Sequence, residues 1–198
     1  MNPETKPELT ADALVRLVHR YYPAGLLIDD LAYKVSKEIQ RLRELQDTHV
    51  QPSATWTAFI TRLRQEFSDC SLWDTTVPYL DPCYSIRVSL PGFQVGDPLY
   101  DCVVCLLSQF VPVYALYASH TDKNDPSEEG YWLRFPPFPP KFQSHEARLA
   151  ALIESTFGFT RLSNDVLHTP VLDLVPKSSN FVLGEAKLID CLFTPHRW

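Results

Sequence analysis

The stretch Cys83-Tyr84-Ser85-Ile86-Arg87-Val88-Ser89-Leu90 is where the chain changes period. Tyr84, Ile86, Val88 and Leu90 fall on one side of an extended strand, with Ser85, Arg87 and Ser89 on the other. Pro91-Gly92 and Gly96-Asp97-Pro98 then mark an excursion to a second strand. Tyr100 to Leu107 is apolar on both faces, as a central strand should be. Pro112 to His120 returns beside it after a short turn around Ser108 to Phe110. The pattern predicts a three-stranded antiparallel meander.

Upstream, the spacing is helical. Thr10 can cap a short helix with Leu14, Leu17 and Val18 on one face, ended by Pro23 and Gly25. After Asp29-Asp30, apolar residues recur at Leu31, Val35, Ile39, Leu42 and Leu45, which predicts one continuous stripe. A third helix after Ser53 carries Trp56, Phe59, Ile60, Leu63 and Phe67, a bulky face suited to a sheet.

Downstream, the polar loop 122–130 leads into Tyr131-Trp132-Leu133-Arg134-Phe135, a candidate edge strand. The run Pro136-Pro137-Phe138-Pro139-Pro140 requires extended geometry. Ser144 is expected to cap a helix with Leu149, Leu152, Ile153 and Phe157, closed by Gly158. Val171 to Val175 and Lys187 to Phe193 read as short strands. The fold class expected is therefore α+β: N-terminal helices packed on a mainly antiparallel sheet, one further helix and short C-terminal strands. Residues 1–198 are read as one domain, with 1–8 flexible, 9–70 helical and 83–198 containing the sheet.

Composition narrows the functional classes. The chain has 198 residues, 24 acidic and 18 basic, for a net charge of −6. That lacks the positive field of a general nucleic-acid binder. Proline is abundant at 17 residues while glycine is scarce at 6, a poor fit to a helical bundle. The five cysteines, Cys70, Cys83, Cys102, Cys105 and Cys191, are odd in number and irregular in spacing, unlike a secreted disulfide framework. The N-terminus has neither the basic nor the apolar segment of a secretory signal. Cys102 to Thr121 carries no charged residue, but Ser108, Gln109 and Pro112 interrupt it, and a buried hairpin explains it better than a membrane span. A cytoplasmic protein without membrane contact is expected.

No catalytic or cofactor signature emerges, and no metal or cofactor is expected. In a strand, Cys102 and Cys105 point to opposite faces, which argues against a redox or zinc pair. A Cys–His nucleophile pair joining Cys105 or Cys83 to His120 is an alternative reading, that of a small cysteine hydrolase. Charge is the more informative feature. All of the net charge lies in residues 71–130, where Arg87 and Lys123 stand against eight acids. Asp97 and Asp101 flank the start of the second strand of the meander, and Asp122, Asp125, Glu128 and Glu129 follow the third. Antiparallel pairing brings these two groups to one end of the sheet. With Tyr131 and Trp132 as aromatic anchors beside them, they form a candidate surface for a basic protein partner. A homodimeric scaffold using the aromatic ridge is a third reading.

Three segments, Asp165-Val166-Leu167-His168-Thr169-Pro170, Leu183-Gly184-Glu185-Ala186-Lys187-Leu188-Ile189-Asp190-Cys191-Leu192-Phe193 and His196-Arg197-Trp198, resemble immunity proteins encoded beside bacterial polymorphic toxins. The resemblance is to those paired with lipoprotein toxins exchanged between kin cells. It implies a cytosolic, non-enzymatic antidote that blocks a cognate toxin domain, often a nuclease. It includes no catalytic motif and carries over no site residue.

Overall fold

A strand that is apolar on both faces needs a cover on each side, and the chain supplies two. The computed structural model describes residues 9–77, 79–178 and 181–194. At its centre stand β2 (Cys83–Ser89), β3 (Leu99–Ser108) and β4 (Val113–Asp122), paired antiparallel in sequence order as the meander predicts. β1 (Leu72–Asp74) extends the sheet beside β2, and β5 (Tyr131–Arg134) pairs antiparallel with β4. β6 (Thr160–Arg161) pairs parallel with the beginning of β4. The protein is an α+β fold with six strands among its described residues.

One face of the sheet, carrying Cys102, Val104 and Leu106, packs against α1 (Ala11–Val18), α2 (Leu31–Val35), α3 (Lys37–Thr48), α6 (Asn164–Leu167) and α7 (Leu188–Leu192). The other face, carrying Val103, Cys105 and Leu107, packs against α4 (Ala54–Glu66) and α5 (Pro140–Phe157). Both cores therefore mix helices from the N-terminal part with the sheet. Each fully buried Leu or Phe in them contributes about 1.5–3 kcal/mol. Thr10 and Ser53 cap α1 and α4 by accepting from Ala13 N and Trp56 N.

Three local expectations change. The stripe from Leu31 to Leu45 is broken at Ser36, whose extended backbone (ψ 153°) ends α2 and whose hydroxyl caps α3 at Ile39 N. Leu31 and Val35 consequently stay exposed, at 76% and 59%. The helix expected after Ser144 begins at Pro140, because proline at the first helical position sacrifices no hydrogen bond and arrives with the right φ. Gly158, at φ 66°, does provide the left-handed end.

The two C-terminal strands are absent among the described residues. Leu172 and Asp173 form a turn within residues 171–175, Leu188–Leu192 is helical, and the strand-like pairing there is limited to an isolated bridge between Pro170 and Lys187. Asp190 Oδ2 accepts from Lys187 N at 2.9 Å, which favours the helix start, and all five residues of α7 are buried. Residues 1–8 and the terminal His196-Arg197-Trp198 lie outside the described residues.

Candidate functional site

The β3–β4 register decides where the acids go. Leu99 pairs with Asp122, Tyr100 with Thr121 and Asp101 with His120. Lys123 N donates to Pro98 O at 2.9 Å, joining the turn before β3 to the turn after β4. Asp97 is thereby set beside the Asp122–Glu129 segment at one end of the sheet.

Each aspartate in these turns also shapes its own loop. Asp97 Oδ2 accepts from Gln94 N at 2.7 Å, Asp122 Oδ1 from Asn124 N at 2.9 Å and Asp125 Oδ1 from Ser127 N at 2.9 Å. Such bonds commit one carboxylate oxygen to the backbone and keep the charge at the surface. The Ser127 hydrogen bonds hold the Asp125 carboxyl below the usual carboxylate range. Gly130 completes the return to β5: a Cβ there would stand 2.0 Å from Asp125 O, so only glycine fits. Glu129 is exposed, and the side chain of Glu128 lies outside the described residues.

Asp101 departs from this group. Strand alternation gives it the same face as Val103 and Cys105, under the first turn of α5. Its carboxylate is 13% exposed and held by two side chains of the chain itself: the His120 imidazole Nδ1 lies 2.8 Å from Oδ1, and the Lys141 ammonium donates from Nζ to Oδ2 at 2.7 Å. The expectation that Asp101 belongs to an outward acidic surface is corrected. Its charge is compensated internally.

Tyr131 and Trp132 do not stand side by side either, since consecutive strand residues face opposite ways. Trp132 stacks on His120 with centroids 5.2 Å apart, meets Phe142 edge-on at 5.8 Å and carries the Arg134 guanidinium 4.7 Å from its centroid. It serves the interior of this end of the sheet. Tyr131 is 47% exposed and remains the aromatic available for contact.

Four of the five cysteines are buried thiols. Cys102 and Cys105 do point into different cores. Burial pushes the Cys105 thiol up to about 12. Cys105 pairs with Leu116, four positions along β4 from His120 or roughly 13 Å of strand. Cys83 pairs with Ser108 at the far end of β3. Neither is brought to His120, which is engaged with Asp101.

A different pair does meet. Cys70 Sγ lies 3.4 Å from His145 Nε2 and 3.5 Å from Asp69 Oδ1. Burial and Asp69 push this thiol up to about 11, while burial and then Arg148 lower His145. Both groups are driven neutral, the reverse of a thiolate–imidazolium nucleophile. Nothing in the sequence signals this pairing, because the partners lie 75 positions apart.

A cavity of about 700 Å³ lies against the outer edge of β4 between β5 and β6, lined by Pro136, Phe138, Glu146, Arg161, Asn164 and Asp165. Arg161 Nη1 and Glu146 Oε1 are 2.7 Å apart, so the main charges there compensate each other. Among the described residues no group of three or more His, Cys, Asp or Glu side chains is placed to hold a metal ion, and no helix is long and apolar enough to cross a membrane. Compared with protein families, curated proteins and solved structures, the chain matches none.

Proposed function

We propose that the chain is a non-enzymatic binding protein that receives a basic protein partner on the rim formed by Asp97, Asp122, Asp125 and Glu129, with Tyr131 beside it. The observation that carries this reading is the join between Lys123 N and Pro98 O, which gathers acids from two turns at one sheet end. Among the described residues, no ion pair within the chain compensates these four carboxylates, in contrast to Asp101. An uncompensated patch of one sign accelerates encounter with an oppositely charged surface and sets its orientation.

Taken with the resemblance to polymorphic-toxin immunity proteins, the partner proposed is a cognate toxin domain, and the place of action the cytoplasm. Binding would neutralise the toxin by covering the basic residues it uses on its substrate, as a nuclease uses them on phosphates. The neutral Cys70–His145 pair gives a cysteine-hydrolase reading no support.

The test is co-expression with the product of the adjoining reading frame, which the proposal expects to be the toxin domain. Growth should be restored by the wild-type chain and lost again with Asp97→Asn, Asp122→Asn, Asp125→Asn and Glu129→Gln combined. These replacements keep the turn-forming oxygens and remove only charge. Full protection by the combined variant, or a neighbouring product that is not toxic, would remove the proposal.

A further inference from the structure

The break at Ser36 leaves a signal for burial unanswered within one chain. Leu31 and Val35 stand one helical turn apart on the outer side of α2, while Tyr33 points inward and donates its hydroxyl to Val175 O at 2.9 Å. Leu27, 43% exposed, precedes them. Gly25 N donates to Asp173 O at 2.7 Å, bringing Leu172 alongside, and Gly184 N donates to Leu172 O at 2.8 Å, adding Val182 and Leu183. These six account for more than half of the exposed large hydrophobic residues described. Apolar residues scattered singly need no explanation, but exposed ones gathered on segments that are hydrogen-bonded in series suit a contact surface.

We infer that this face is the contact between two copies of the chain. The argument for a second copy lies in the charges around α2. Asp29 and Asp30 precede its first turn, while Lys34 and Lys37 follow along its end, all exposed. Two α2 helices laid antiparallel across a twofold axis between Leu31 and Val35 bring Asp29 of one copy to Lys37 of the other. Acidic, apolar and basic residues in that order complement themselves, as an isologous interface requires. With two acids and two bases these four residues carry no net charge, so they offer no attraction to the uniformly basic partner that the acidic rim would receive. No residue of that rim belongs to this face, so dimerisation leaves the proposed partner site open.

Sedimentation equilibrium of the full chain over about 1–200 μM tests the inference. The expected result is a species of twice 22.7 kDa that dissociates on dilution. Leu31→Asp changes a largely exposed side chain, so it should abolish the dimer while leaving unchanged the thermal midpoint measured at concentrations where the wild-type chain is monomeric. Asp29→Lys should weaken association at least tenfold, and adding Lys37→Asp should restore it. A monomer throughout the range, a Leu31→Asp variant that still dimerises, or a charge swap that fails to restore association would each overturn the inference.

Discussion

His120 Nδ1 and Asp101 Oδ1 stand 2.8 Å apart across the β3–β4 ladder, with Lys141 Nζ on the second carboxylate oxygen at 2.7 Å. An acid that composition assigns to the surface thus anchors α5 to the end of the sheet. Asp101→Asn should cost about 1–3 kcal/mol in urea denaturation, because a mostly buried charged acceptor is lost while its donors remain. Lys141→Ala should cost no more than about 1 kcal/mol, since that ammonium is 47% exposed and its pairing is screened. Equal losses from the two substitutions would mean that Lys141, not His120, carries the anchor.

Gln46 lies on the apolar stripe of α3 with Ile39 and Leu42 and is 2% exposed. Among the described residues neither its amide nitrogen nor its oxygen has a hydrogen-bond partner. Gln46→Met, similar in length and free of that desolvation penalty, should raise stability by about 1–2 kcal/mol. A lower urea midpoint would show instead that an ordered water satisfies the amide in the folded protein.

Thiol chemistry separates the structural cysteines from a reactive one. Titration of the native chain with an aromatic disulfide should modify Cys70 alone, with all five thiols reacting after denaturation. With its thiol pushed up to about 11, Cys70 should react at pH 8 about 100-fold more slowly than an ordinary cysteine. Rapid modification at Cys70 would reinstate a nucleophilic role for the Cys70–His145 pair.

Two histidines are held neutral by folding: burial lowers His49, and burial followed by the Arg148 charge lowers His145. The unfolded chain binds protons more readily at these sites, so their contribution is complete above pH 6.5 and is lost as pH falls through the lowered folded values. His19 runs the other way. Burial pulls it down, but the Val15 carbonyl and the Asp173 carboxylate together raise it. Its contribution is present below pH 6.5 and fades as pH rises through the raised value. Thermal midpoints should fall between about pH 7.5 and pH 5, and His145→Gln should flatten that fall. An unchanged slope would place the acid sensitivity elsewhere.

The meander is legible in the sequence because alternation in β2, two-sided apolarity in β3 and the Pro/Gly breaks between them all favour the same pairing. The caps at Thr10 and Ser53 are equally plain, since each precedes an apolar period with no competing signal. Ser36 escapes notice because a capping residue inside an unbroken stripe reads as part of the helix. Lys187 to Phe193 misleads because its apolar run suits either a strand or a short buried helix, and only the Asp190 side-chain bond and complete burial select the helix. At the candidate site, local pairing places Asp97 beside Asp122. The internal compensation of the Asp101 charge comes from Lys141, 40 positions away on a helix whose docking no local pattern specifies.

Stopped-flow association with the proposed basic partner, at about 0.1 M and 1 M salt, tests the rim itself. The wild-type chain should associate at least about tenfold faster than the Asp97/Asp122/Asp125/Glu129 amide variant at the lower salt, with the difference gone at the higher. Asp101→Asn should keep the wild-type rate at both. If the four-site variant binds as fast as wild type at low salt, these carboxylates do not steer the partner and the proposed binding surface is wrong.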